Sequence, residues 1–123
     1  METSYKKIVY LLEDDEGIRE MLEFLLSSLK LNVVACATVK VFKEKMKLAL
    51  PDLIILDIML PDGNGETVGR ELSMQPETCG IPILFMSANV KFTLPEQLAA
   101  YDFIPKPFDI SSFQNKIHNL LAC

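Results

Sequence analysis

No apolar run in this 123-residue chain reaches the length of a membrane span. The opening stretch METSYKKIVYLLEDD holds a basic pair and then only IVYLL before Glu13, too short for a signal peptide or a spanning helix. Basic residues are also scarce: 12 against 17 acidic ones give a net charge of −5, so nucleic acid is not an expected partner. Cys36, Cys79 and Cys123 are far apart and form no CxxC pair, which argues against a disulfide framework or a zinc site and suits reduced thiols in a cytoplasm. No repeat, low-complexity tract or Pro/Gly linker divides the chain, and its length fits one core, so a single domain over 1–123 is expected. A cytoplasmic location follows as an expectation.

What is present is apolar sequence in short blocks. Half the residues are hydrophobic, as expected of parallel strands covered on both faces. The blocks IVYLL (8–12), VVACA (33–37), LIIL (53–56), IPILFM (81–86) and FI (103–104) read as five strands. Between them run helical patterns. Ile18, Met21, Leu22, Leu25 and Leu29 mark one face; Phe42, Met46, Ala49 and Leu50 a second; Val68 and Leu72, within 65–75, a third. A final helix opens at Asp109, a good N-cap, with Phe113, Ile117, Leu120 and Leu121 inward. The stretch 89–101 has room for about two turns and a poor apolar face, so a short or irregular fourth helix is expected there. Alternating strands and helices mean an α/β fold, a (βα)5 doubly wound parallel sheet.

In such sheets ligands bind beyond the carboxyl ends of the strands. The first strand ends in Glu13, Asp14 and Asp15, the third in Asp57, the fourth in Ser87 and the fifth in Lys106. Two carboxylates about 4 Å apart repel by roughly 4 kcal/mol at an effective dielectric of 20. Lys106 alone cannot offset several of them. A hard divalent cation can, and oxygen-only ligands select Mg²⁺ or Mn²⁺. Mg²⁺ keeps coordination positions open, and with Ser87 and Lys106 nearby the site can neutralise phosphoryl oxygens. Asp57 is then the oxygen nucleophile, giving an aspartyl phosphate.

The segments LLEDDEGIRE, LIILDIMLPDGNG, ILFMSAN and DFIPKPF resemble, in order and on the right strands, the four signatures of the receiver domain of bacterial two-component response regulators, chemotaxis-regulator-like in form. The resemblance runs from about Ile8 to the last helix. It implies a flavodoxin-like sheet of order 2-1-3-4-5, and phosphorylation of Asp57 by a sensor histidine kinase or phosphotransfer protein. It further implies Asp14 as a direct Mg²⁺ ligand, Glu13 acting largely through water, Asp57 as phosphoacceptor and ligand, and the backbone carbonyl of Met59 as the third protein ligand. Ser87 matches the Thr/Ser position, Lys106 the conserved lysine with a cis bond to Pro107, and Phe103 the aromatic switch site. Met59 and Asn89 match positions that tune phosphoryl lifetime.

Three departures stand out. Asp15 adds a third acid, and its register against Ile18 and Arg19 makes it a helix cap rather than a ligand. The stretch from Ser87 to Lys106 is short, at the cost of the fourth helix, which with the fifth strand and last helix forms the output surface of relatives. Ala99 stands where a glycine is routine. His118 and the lysines at 40, 43, 45 and 47 read as solvent-facing.

The leading expectation is a signalling module that catalyses only its own phosphorylation and dephosphorylation, not an enzyme acting on an outside substrate. It binds neither nucleic acid nor membrane directly, and a weak or phosphorylation-dependent dimer is compatible with it. The alternative is a Mg²⁺-dependent aspartyl-phosphate hydrolase, but such enzymes want a second Asp where Met59 stands. A flavin-binding module lacks its phosphate loop here. A stand-alone regulator and the receiver part of a longer protein both remain open, with the output partner unknown.

Overall fold

The computed structural model describes residues 6–88 and 101–122. The strands are β1 (Ile8–Leu12), β2 (Asn32–Cys36), β3 (Leu53–Asp57), β4 (Met59–Leu60), β5 (Gly63–Asn64), β6 (Ile83–Ser87) and β7 (Tyr101–Pro105). The helices are α1 (Glu16–Ser28), α2 (Val39–Leu48), α3 (Gly65–Ser73) and α4 (Ile110–Leu121). Five strands form one parallel sheet of order β2-β1-β3-β6-β7. With the small β4–β5 hairpin left out of the count, this is the expected 2-1-3-4-5 order. The hairpin runs from Met59 to Asn64, with its turn and second strand in the PDGNG stretch, and was not foreseen from the sequence.

Strand residues alternate between two helix layers, as the two-residue period of a strand demands. Val9, Leu11, Leu53, Ile55, Leu84 and Met86 pack with α1 and α4. Tyr10, Leu12, Ile54, Leu56, Ile83 and Phe85 pack with α2 and α3. Because both faces are covered, β3 and β6 are buried at every position, hence the unbroken apolar runs.

The helix faces differ in detail from the periodicity. On α1 Leu22 and Leu25 are buried and Ile18 packs on the same core, as expected, while Leu26 is buried in addition and Met21 and Leu29 are exposed; the segment MLEFLL is apolar on several sides, so its pattern fixed the rotation only in part. On α2, Val39 and Phe42 are buried and Met46 is half-buried. Ala49 and Leu50 do not extend that face: Ala49 is an extended C-cap and Leu50 is exposed. Pro51 biases Leu50 away from helix, and the Tyr10 hydroxyl donates to the freed Ala49 carbonyl, with that of Lys45 3.2 Å away. Val68 and Leu72 of α3 face inward as expected, as do Phe113, Ile117 and Leu120 of α4, with Leu121 half-buried beside them. The expected fourth helix, Asn89 and Ala99 lie outside the described residues. Tyr101, at the end of that stretch, opens β7. Among the described residues no helix is long and apolar enough to cross a membrane, and Cys36 and Cys79 are free thiols.

Candidate functional site

Strand register brings the predicted residues together. Leu12 pairs with Leu56, so Glu13 and Asp57, one step further along, emerge side by side. Asp57 is level with Met86 on β6, and Ser87 is level with Pro105 on β7. The Lys106 amide then donates to the Ser87 carbonyl at 2.8 Å, and the Lys106–Pro107 peptide is cis. Four strand ends thus deliver Glu13, Asp14, Asp57, Ser87 and Lys106 to one edge.

Burial sorts them. Glu13, Asp57 and Ser87 are almost wholly buried, at 1%, 4% and 1% exposure, whereas Asp14 is exposed. The Lys106 ammonium donates to Glu13 Oε1 at 2.6 Å and to Asp57 Oδ2 at 3.0 Å. The second oxygen of each carboxylate takes a backbone amide: Asp15 N–H to Glu13 Oε2 at 3.1 Å, and Met59 N–H to Asp57 Oδ1 at 3.2 Å. Burial pushes the Glu13 carboxyl above its ordinary value and the neighbouring Asp57 adds to this, with Lys106 and the Asp15 amide opposing. For Lys106 burial favours the neutral amine, but its bonds to Glu13 and Asp57 outweigh it and hold the ammonium above its ordinary value.

One oxygen each from Glu13, Asp14 and Asp57 lies within 4.8 Å of the others. A single ammonium shared by two of these acids leaves the site net negative. Three hard oxygen donors at that spacing, one facing solvent, fit a small divalent cation such as Mg²⁺ or Mn²⁺.

The local frame follows from sequence. Asp15 caps α1 by accepting the Ile18 amide at 2.9 Å, as its register predicted. Asn64 caps α3, accepting from Glu66 and Thr67. Gly65 packs on the peptide of Asp57: a Cβ there would lie 2.1 Å from the Asp57 carbonyl oxygen, so only glycine fits. Two supports escaped the sequence reading. Arg19 Nη1 donates to the carbonyls of Glu13 and Asp14 at 3.0 and 3.2 Å. Asp62, in the turn of the hairpin, accepts the amides of Val39 and Lys40 at 2.9 and 3.1 Å. An arginine one turn into a helix was a visible signal for the first; the second joins distant segments and had none. Met59 is 68% exposed, and Phe103 is half-buried against the α2–α3 layer.

A doubly wound parallel sheet with buried acids from β1 and β3 and a lysine after β7 at its carboxyl edge defines a receiver-type signalling domain. The model of the response regulator receiver domain matches residues 9–118, and the chain belongs to that family, the phosphorylation-dependent domain of two-component signal transduction. It is 33% identical to the transcriptional regulatory protein CssR of Bacillus subtilis over 81% of this chain and 44% of that protein. Its fold matches the receiver domain of sensor histidine kinase PA1611 from Pseudomonas aeruginosa, solved with a magnesium ion in the active-site cleft, at TM-score 0.84 and 23% identity over 97% and 100% of the two chains. The chemotaxis protein CheY4 of Vibrio cholerae matches at TM-score 0.82 and 24% identity, over 95% and 100%. The chain spans about half the length of the curated relatives it matches.

Proposed function

We propose that Asp57 accepts a phosphoryl group from a sensor histidine kinase or phosphotransfer protein, and that this switches the protein's contacts with an output partner. One observation carries the reading: the Lys106 ammonium binds both buried carboxylates, Glu13 and Asp57, with the exposed Asp14 oxygen beside them. Glu13, Asp14, Asp57 and the backbone carbonyl of Met59 would hold Mg²⁺ or Mn²⁺, which when bound neutralises charge on the phosphoryl oxygens. The PA1611 receiver domain, solved with magnesium in its cleft, supports that choice.

An oxygen of Asp57 attacks phosphorus. The bond from phosphorus to the donor's imidazole nitrogen breaks, and the donor keeps the electron pair. Lys106 and the Ser87 hydroxyl compensate the equatorial oxygens of the transferred group. Ser87 moving toward the phosphorylated Asp57 would free space for Phe103, whose position on β7 beside Phe85 links the site to the strand edge. At Met59 a thioether stands where a hydrolase would need a proton donor, which favours a slowly turning signalling domain over an aspartyl-phosphate hydrolase.

Acetyl phosphate with Mg²⁺ should label the wild type through an acyl phosphate sensitive to hydroxylamine, and the Asp57→Asn protein should stay unlabelled. Label retained on the variant overturns the assignment.

A further inference from the structure

The β4–β5 hairpin stands between the acid site and α2. At its base, the Met59 amide donates to Asp57 Oδ1, and Gly65, just past the hairpin, donates to the Ile58 carbonyl at 2.8 Å. Met59 pairs with Asn64 and Leu60 with Gly63, which leaves Pro61 and Asp62 as the turn. A two-stranded hairpin of this size has little stability of its own in water. Its tip is nevertheless fixed. Both oxygens of Asp62 accept amides from the first turn of α2, Val39 at 2.9 Å and Lys40 at 3.1 Å. The same turn already has a cap of its own, Thr38 Oγ1 accepting the Val41 amide at 3.2 Å. Asp62 thus adds a bond between two elements to a helix end capped from within. Gly63 completes the seat, since a Cβ there would come within 2.9 Å of the Val39 side chain.

We propose that Asp62 is a positioning residue for the phosphorylation site: by tying the hairpin tip to α2 it steadies the backbone of Met59, whose carbonyl would be a cation ligand under the proposed function. The inference rests on the proposed function and deepens it. Without the Asp62 carboxylate the tip loses its hydrogen bonds to α2, leaving the hairpin held at its base and by the packing of Leu60 on the α2–α3 layer, and the Met59 carbonyl would have to be ordered further each time a cation binds. Ordering at the moment of binding weakens affinity, as loss of a group that orients a ligand does.

Thr38 supplies the control, because removing its hydroxyl loosens the same helix end without touching the hairpin. In the metal-free protein, ¹⁵N relaxation should show faster motion at residues 59–64 in Asp62→Ala but not in Thr38→Ala. Calorimetric titration with Mg²⁺ alone should show Asp62→Ala binding about 3–10-fold more weakly, below the roughly 10–100-fold expected when a group bonded directly to a ligand is lost. Thr38→Ala should bind as the wild type does. Asp62→Asn keeps an acceptor oxygen for Val39 and should recover part of the affinity. Unchanged relaxation in Asp62→Ala overturns the proposal. So does equal weakening in Asp62→Ala and Asp62→Asn, which would reduce the residue to a charge near the site. A wild type that binds no Mg²⁺ overturns the proposed cation site instead, while the metal-free relaxation still decides whether Asp62 holds the hairpin.

Discussion

The Lys106 ammonium lies 2.6 Å from Glu13 Oε1 and 3.0 Å from Asp57 Oδ2, so a single cation from the last strand end serves two buried acids from the first and third. Removing one partner of a buried ion pair costs far more than the pair contributes, because the remaining charge stays desolvated. Lys106→Met should therefore destabilise the metal-free protein by about 3 kcal/mol at neutral pH. The loss should shrink on acidification, where Glu13, raised by burial, takes up a proton and one of the two uncompensated charges disappears. Urea unfolding at the two pH values checks both statements, and a small cost that is the same at each would contradict them.

The raised Glu13 carboxyl gives a second, signed expectation. Burial is its main cause, reinforced by Asp57. Between its ordinary value and its raised value the folded state binds more protons than the unfolded one. Stability of the metal-free protein therefore falls as pH rises through that window. Binding a divalent cation needs the ionised acids, so the stabilisation by Mg²⁺ should grow with pH over the same range. Melting temperatures recorded with and without Mg²⁺ from mild acid to neutrality read both slopes. Glu13→Gln should flatten the metal-free slope, and Asp14→Asn should remove most of the gain from Mg²⁺.

The acid site was legible because each of its residues ends a strand or follows one, and strand ends in a doubly wound sheet meet at one edge. Glu13, Asp14, Asp57, Ser87 and Lys106 could be listed in order along the chain and then placed together by topology alone. What topology could not supply was pairing within the site: that Lys106 divides itself between Glu13 and Asp57 depends on a register of one residue between β1 and β3. Helix rotation was legible where polar residues bound the apolar stripe, as on α3, and only in part on α1, where Ile18, Leu22 and Leu25 face the core but Met21, Phe24 and Leu26 offered competing faces. Asp62 illustrates a harder case. Its bonds to Val39 and Lys40 join segments over 20 positions apart, and neither segment shows in its own sequence that it needs the other.

Lys30 offers a test confined to stability. It follows the Leu29 C-cap of α1 with φ at 65°, and is the one non-glycine residue with positive φ among those described. Its amide donates to the Ser27 carbonyl and that of Leu31 to the Leu26 carbonyl, the paired bonds of a Schellman ending. Glycine adopts that conformation without the Cβ penalty of about 1 kcal/mol. Lys30→Gly should raise stability by roughly 0.5–1 kcal/mol and leave phosphorylation unchanged. A destabilised Lys30→Gly protein would show that the lysine stem contributes more by packing than its backbone loses by strain.

Gly65 couples stability to the site itself. A methyl group there would lie 2.1 Å from the Asp57 carbonyl oxygen, 2.8 Å from its carbon and 2.9 Å from the Ile58 Cα, all backbone atoms with no rotamer to yield. The contact cannot simply open, because the Gly65 amide donates to the Ile58 carbonyl at 2.8 Å and anchors the start of α3 to the end of β3. Gly65→Ala must therefore shift the peptide that carries Asp57. Overpacking of this kind costs about 1–3 kcal/mol, and a displacement near 1 Å at a reacting group costs about 100-fold in rate. Gly80→Ala is the matching control, since a Cβ there meets nothing within 4 Å. The rate of labelling by acetyl phosphate should fall by one to two orders of magnitude in Gly65→Ala, even at temperatures where it is fully folded, and stay at the wild-type level in Gly80→Ala. A Gly65→Ala protein that loses stability but labels at the wild-type rate would mean that the strain is absorbed by α3, leaving the carboxylate of Asp57 where β3 puts it.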